Sequence, residues 1–314
     1  MKERTDYYFE RLNNSNFVHF VKLYNDVFGT NKNLSELEAK YDTAYIIEDY
    51  WAYLAFDAQS KEVAASYSVI PWVFVDNEQQ ILAAQSADTM TGNAHRGKGL
   101  FGVLHGKVVD LLVLNGFKFI FGFPNQNSFP VFKNKLNWKF YSKLNLYTIP
   151  TNNKIPIRKA FYKFSFLRPL HNVLVNRVFD KYKFDPSNYF MEDKRHIRTQ
   201  YNDLFLKHKR ADEHKILKID NSIFYIKITN RLLIGDFKST VEEFEKCLLV
   251  LIELASKCGI TAIDFMCSPE MEVDAIFSTY HKPQESLRIG FFELNKSTNN
   301  YTKIKFTLMD LDTF

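Results

Sequence analysis

HRGKGLFG, residues 95–102, separates two segments of different periodicity. Upstream, QQILAAQSADTM (79–90) has the small and apolar pattern of a strand. Downstream, LFGVLHGKVVDLLVLN (100–115) sets Leu100, Leu104, Val108, Leu111 and Leu112 on one helical stripe, which Asn115-Gly116 ends. The octapeptide is therefore a glycine-rich turn feeding a helix N-terminus. Gly97, Gly99 and Gly102 admit backbone conformations closed to larger residues, and the first N–H groups of a helix have no partner within it. Such groups at the positive end of a helix make an anion site, and a diphosphate fits there.

Toward the N-terminus, YYFERL (7–12) reads as an edge strand and NFVHFVKLYNDVFG (16–29) as a helix closed by Gly29. A short helix is expected over 35–41. YWAYLAFD (50–57), EVAASYSVIPWVFVD (62–76) and 79–90 form an antiparallel meander with a turn at Asp76-Asn77. After the long helix, FKFIFGF (117–123) is a buried strand. PNQNSFPVFKNKLNWKFY (124–141) then gives a polar loop, a short helix and a return strand. This order predicts an α/β sandwich around a mixed sheet.

The second half repeats the order from the meander on. Strands are expected at KILKI (215–219), SIFYIKIT (222–229) and RLLIGDF (231–237), then a helix at VEEFEKCLLVLIELASKCG (241–259). A strand AIDFM (262–266), a helix EVDAIFSTYHK (272–282) and two strands ending at KFTLMDLDTF (305–314) complete it. Here no glycine loop precedes the long helix, and Glu242 and Glu243 in its first turn would repel a phosphate. The chain thus divides into a first domain over 1–150, a linker over 151–200 and a related, degenerate domain over 201–314.

The 314 residues carry 41 Lys plus Arg against 36 Asp plus Glu, a net charge of +5. No apolar run reaches the length of a bilayer span, and the first residues lack the apolar core of an export signal, so a cytoplasmic protein is expected. Cys247, Cys258 and Cys267 sit unevenly in apolar surroundings, and no histidine pair has ligand spacing, so neither a disulfide framework nor a metal is expected. Between 150 and 183, eight Lys and Arg face Asp180 alone, a surplus of +7. Lys154, Arg158, Lys159, Lys163, Arg168, Arg177, Lys181 and Lys183 alternate there with aromatic and aliphatic residues. One reading is a peripheral surface meeting anionic lipid or a lipid-linked acceptor; the favoured one is a linker helix with solvated lysines. No base-stacking motif accompanies these charges, so no nucleic-acid partner is expected.

Gly97, Gly99 and Gly102 also spell the dinucleotide fingerprint G-x-G-x-x-G, but the context fails. Six polar or small residues, 91–96, separate the strand from the first glycine, and FKFIFGFPN supplies no carboxylate for a ribose. A P-loop needs Gly-Lys-Ser/Thr, which is absent.

TMTGNAHRGKGLF (89–101) resembles motif A of the GCN5-related N-acetyltransferases, Arg/Gln-x-x-Gly-x-Gly/Ala, which joins the fourth strand to the third helix and cradles the pyrophosphate of acetyl-CoA. Arg96, Gly97, Lys98 and Gly99 match in place; the final small position is Phe101, with Gly102 one later. The resemblance covers about half the chain, and the second half resembles the degenerate partner domain of tandem members. It implies a mixed α/β sandwich of two related halves and acetyl transfer to a primary amine of a small acceptor. It implies that backbone at Met90 and Thr91 holds the pantetheine and acetyl carbonyl. Amides from Gly97 through Leu100 and Phe101 to Gly102 would take the diphosphate, helped by Arg96 and Lys98. Asn125, Asn127 and Ser128 would bond the pantetheine arm.

Acetyl transfer needs a proton acceptor for the amine and a donor for the leaving thiolate. Asp88 is the only acidic residue between Gln79 and His105, which makes it the candidate base or amine anchor. The tyrosine many members carry in the fourth helix corresponds to Lys133 here, with Tyr141 nearby; His95 reads as a loop residue. Relatives in surface-glycan pathways suggest an amino sugar as acceptor. A non-catalytic binding module and an aminoacyl or peptidyl transferase of a related tandem fold are the alternatives.

Overall fold

A computed structural model gives the positions of residues 6–47, 49–155, 158, 161, 168–185, 195–209, 214–295 and 300–314. Contacts divide it into two units, Met1–Tyr141 with Arg288–Tyr301, and Ser142–Leu287 with Thr302–Phe314.

In the first unit, β1 (Tyr7–Arg11), β2 (Ala52–Asp57), β3 (Val63–Asp76) and β4 (Gln79–Ser86) pair antiparallel in sequence order. A two-residue strand, β5 (Met90–Thr91), continues along the same edge of β3 as β4. The strand expected over 79–90 is thus broken at residues 87–89. Val69 pairs with Ser86 but Ser66 with Met90, so one extra residue is inserted between them and the chain bulges. β6 (Phe119–Gly122) joins β4 in parallel at Ala84 and Gln85 only.

Helices cover both faces of this sheet. α1 (Phe17–Phe28), closed by left-handed Gly29, and α2 (Leu34–Tyr41), opened by an Asn33–Glu36 capping box, lie on one face. α3 (Leu100–Leu114) and α4 (Phe129–Asn134) lie on the other. Successive side chains of β3 show the division: Tyr67 packs beneath Phe101 of α3, whereas Ser68 bonds Tyr41 of α2. The α3 stripe of Leu100, Leu104, Val108, Leu111 and Leu112 is buried as its spacing predicts. Truncating one of these leucines to alanine costs about 2–5 kcal/mol.

In the second unit, β7 (Lys139–Pro150) contributes residues 145–150. After α5 (Arg168–Phe179), the two-residue β8 (Arg198–Thr199) and α6 (Asp203–Lys209) come β9 (His214–Ile219), β10 (Ser222–Ile228) and β11 (Leu232–Lys238), an antiparallel meander. α7 (Val241–Lys257) leads to β12 (Ala262–Cys267), which is parallel to β11. α8 (Glu272–Tyr280) precedes β13 (Gln284–Glu293). Meander, long helix, parallel strand is the order of β2–β3–β4–α3–β6, so the repeat read from sequence is present in the fold.

Two sequence expectations change here. The return strand after α4 does not close the first sheet. Residues 145–150 of β7 pair with β12 in the second unit, and β6 is flanked instead by Gly290–Glu293 of β13. The units therefore differ from the divisions at 150 and 200: Ser142–Pro150 and Arg288–Tyr301 each belong with the other half of the chain. KFTLMDLDTF is not a strand. Thr307 and Asp310 form a capping box around a 3-10 turn, Leu308–Asp310, because the side chains offer the backbone local partners that a ladder would otherwise supply.

No helix among the described residues is long and apolar enough to cross a membrane. Among the same residues no cluster of three or more His, Cys, Asp or Glu could hold a metal ion, and all three cysteines are buried and free. Of the basic stretch, Lys159, Lys163 and the Arg168 side chain lie outside the described residues. Arg158 is buried, with Nη2 donating to the Ile228 carbonyl at 2.9 Å, so it is not a surface charge.

Candidate active site

The glycine loop runs from β5 through a 3-10 turn, Asn93–His95, into α3. Gly97 and Gly99 have φ of +75° and +74°, left-handed values that a side chain would strain, and the space around both is open. Gly99 is the N-cap of α3 and supplies no side-chain cap, and the first turn holds no acid. Among the described residues, the backbone N–H groups of Gly97, Lys98, Gly99, Leu100, Phe101 and Gly102 donate to nothing. This is a donor-rich cradle, and no Cβ fills it at Gly97, Gly99 or Gly102.

Phe101, the departure from the motif, points into the core. Its ring packs edge-on against Tyr67 at 5.2 Å and Phe132 at 5.3 Å, so its bulk stays off the amides. Two cations flank the loop. Arg96 is exposed and its Nε donates to the Thr91 carbonyl at 3.4 Å. Lys98 lies 5.7 Å over the Tyr7 ring, and the Tyr7 hydroxyl pushes its pKa above the ordinary value. The same hydroxyl contacts His95 Nδ1 at 2.9 Å, so Tyr7 of β1 steadies both sides of the loop.

At the bulge, β4 follows β3 while β6 ends at Gly122, and the parallel pair parts after Gln85 and Phe121. Among the described residues, Met90 and Thr91 therefore pair with a strand on one side only, which leaves the other edge of their backbone without a ladder partner. A Cβ on Gly122 would approach Ser86 Cβ to 3.2 Å, so the end of β6 lies tight against the end of β4.

Asp88 stands in the bulge and turns toward α2. Its Oδ2 accepts from Lys40 Nζ at 2.7 Å and from the Tyr41 hydroxyl at 2.6 Å; Oδ1 has no partner among the described residues. Its side chain is only 12% exposed. The sequence gives no sign of this trio, because Lys40 and Tyr41 lie 48 and 47 residues away on an ordinary amphipathic helix.

Asn125 shapes the next loop. Its Oδ1 accepts from the Asn127 and Ser128 amides at 2.9 and 3.1 Å, so that oxygen is used in the turn, while the exposed Asn127 and half-buried Ser128 lie beside it before α4. Tyr141 is 46% exposed and stacks on Tyr301 at 6.1 Å, and Lys133 lies over the Phe129 ring. Behind the loop, buried His105 of α3 accepts from Trp138 Nε1 at 3.2 Å through Nε2, which places its proton on Nδ1. Burial pushes its pKa down to about 4, so it is a neutral core residue.

An open amide loop at a helix start lies next to a bulged strand that parts from its parallel neighbour. The family profile "Acetyltransferase (GNAT) domain" matches residues 9–140. The GCN5-related N-acetyltransferase from Kribbella flavida is similar over 92% of this chain and 72% of its own, with a TM-score of 0.60 and 12% identity. A probable N-acyltransferase from Enterococcus faecalis V583 gives a TM-score of 0.62 at 11% identity, covering 92% and 73%. Saccharomyces cerevisiae N-myristoyltransferase, with bound myristoyl-CoA, gives 0.57 at 10% identity, covering 93% and 80%. No curated protein matches the sequence. Residues 9–140 thus match a GNAT acetyltransferase domain, and the chain shares its fold with these N-acetyltransferase and N-myristoyltransferase structures.

Proposed function

We propose that the chain is an acetyl-CoA-dependent N-acetyltransferase whose chemistry lies in the first unit, and that its acceptor is the primary amine of a small molecule, with an amino sugar as the leading class. The observation that carries this reading is the run of unpaired amides from Gly97 to Gly102, flanked by Arg96 and Lys98 and free of first-turn acid. The diphosphate of the co-substrate would lie on those amides, Met90 and Thr91 would offer backbone groups to its pantetheine arm, and the Asn125–Ser128 loop would border the arm. When bound, acetyl-CoA supplies a thioester whose acyl carbon accepts an amine.

Asp88 has the position and chemistry to handle that amine. Lys40 and Tyr41 fix Oδ2 and hold the carboxyl plane, which leaves Oδ1 to accept a hydrogen bond from the acceptor amine and to take its proton. Because Asp88 turns toward α2 while the amides begin α3, acceptor and co-substrate would approach the bulge from opposite faces of the sheet.

Titration with CoA, followed by turnover of an amine panel with acetyl-CoA and myristoyl-CoA, tests the reading. Micromolar CoA binding, acetyl transfer to an amino sugar and a preference for the short acyl chain are expected. Asp88→Asn should lower kcat/KM about a hundredfold with CoA affinity unchanged. No CoA binding at millimolar concentration refutes the reading. CoA binding without turnover, unaffected by Asp88→Asn, points to a non-catalytic module.

A further inference from the structure

In the second unit, α5 presents two unlike faces. His171, Val175 and Phe179 recur at every fourth residue and turn inward: Val175 and Phe179 join the core, and His171 Nε2 contacts the Cys258 carbonyl at 2.9 Å. On the outward side Val173 and Arg177 keep the same spacing, and Lys181 continues it in the 3-10 turn Asp180–Tyr182 that extends the helix. Val173 is 67% exposed and its neighbour Leu174 42%, so this face carries aliphatic surface as well as charge. Ile155, 71% exposed, adjoins Lys154, and Arg158 three residues on ties that segment to α5 through His171 Nδ1 at 3.0 Å.

The charge here is uncommitted. Lys154, Arg177, Lys181 and Lys183 are exposed, and among the described residues none of these four side chains makes an ion pair or a hydrogen bond. Asp180, the sole acid between 150 and 183, is taken by Lys215 at 2.8 Å. Single exposed aliphatic residues are ordinary, but here they are interleaved with unpaired cations, which is the composition of a surface that lies in a head-group layer. A nucleic acid would use the cations and gain nothing from Val173, Leu174 and Ile155; an anionic bilayer uses both.

We propose that this face of the second unit docks on a bilayer bearing anionic phospholipid. Val173, Leu174 and Ile155 enter the boundary between head groups and acyl chains, while Arg177, Lys181 and the flanking Lys154 and Lys183 meet the phosphates. Three aliphatic side chains bury little surface, so the attachment is reversible and depends on the charges.

The test is co-sedimentation of the full chain, without CoA, with vesicles of phosphatidylcholine alone and of phosphatidylcholine mixed with phosphatidylglycerol. Binding to the mixed vesicles alone is expected, lost in about 1 M salt, where the screening length falls to about 3 Å. Arg177→Gln with Lys181→Gln should weaken it about thirtyfold, each cation near an anionic surface being worth about fivefold. Val173→Ser with Leu174→Ser should weaken it about tenfold and leave affinity for heparin, a soluble polyanion, unchanged. All four positions are exposed, so the melting temperatures of both variants should stay near that of the parent chain. No binding to the mixed vesicles at low salt, equal binding to phosphatidylcholine alone, or full vesicle affinity in the Val173→Ser, Leu174→Ser chain overturns the proposal; the last outcome would make the partner a soluble polyanion. Because CoA is absent throughout, the result is independent of whether the first unit transfers an acyl group.

Discussion

The two long helices, α3 and α7, follow the same meander in their respective units, yet their first turns are opposites. α3 starts at a left-handed Gly99 with no cap and no acid, so its amides are open. α7 starts at Thr240, whose hydroxyl accepts from the Glu243 amide at 3.3 Å, and it carries Glu242 and Glu243 in its first turn. Glu243 is further held by Asn221 Nδ2 at 2.7 Å. One helix start is satisfied from within the chain and repels anions; the other is left unsatisfied. Helix-start amides left without a partner are the groups that can receive an anion, so the proposed co-substrate site falls on the copy that leaves them open.

The most damaging way to break this contrast is to give α3 the first turn of α7. Gly102 occupies the same helical position as Glu243, and the space around it is open. Gly102→Glu should therefore fold normally, with stability raised by about 0.5 kcal/mol through the helix dipole. CoA affinity should fall about a thousandfold, since like charges brought together cost several kcal/mol. Isothermal titration beside a melting curve reads both, and retained CoA binding would contradict the placement of the diphosphate.

Acid sharpens the contrast next. α3 buries neutral His105, whereas the buried positions of α7 are Phe, Cys, Leu and Ala. The folded pKa of His105, about 4, lies below its ordinary 6.5, so the unfolded state takes up the proton first. Stability is then full above pH 6.5 and falls as the pH drops through the window to about 4, by about 3 kcal/mol in all. His105→Gln keeps an acceptor for Trp138 but does not titrate, so urea midpoints between pH 7 and 4 should lose that slope.

Smaller effects are expected at the edges of the two turns. Lys98→Ala should weaken CoA about tenfold, more at low salt than at high, because an exposed cation is screened. Thr240→Ala should cost about 1 kcal/mol by removing the α7 cap and leave CoA affinity unchanged. A change in CoA affinity there would show that the second helix start is not silent.

Much of this contrast is visible in the residues themselves. Glycine spacing, the apolar stripe of α3 and the acids of α7 are local patterns, and local patterns fix the type of element and the chemistry of its ends. The Asp88 trio is not visible, since Lys40 and Tyr41 meet that carboxylate through tertiary packing alone. Phe101 looks like an obstacle in the motif and is harmless in the fold, because the helix turns its ring into the core.

By itself, the sequence determines the mixed α/β order, the repeat and the glycine-rich turn at residues 95–102 that opens a helix, because each depends on side-chain periodicity or on a backbone conformation that only glycine adopts without strain. Tertiary structure alone decides that β13 flanks β6 while β7 pairs with β12, and that one inserted residue between Ser86 and Met90 parts the strands and presents Asp88. Alternation records which face of a strand is buried but not which edge it pairs with, and a bulge is a relation between two strands rather than a property of one.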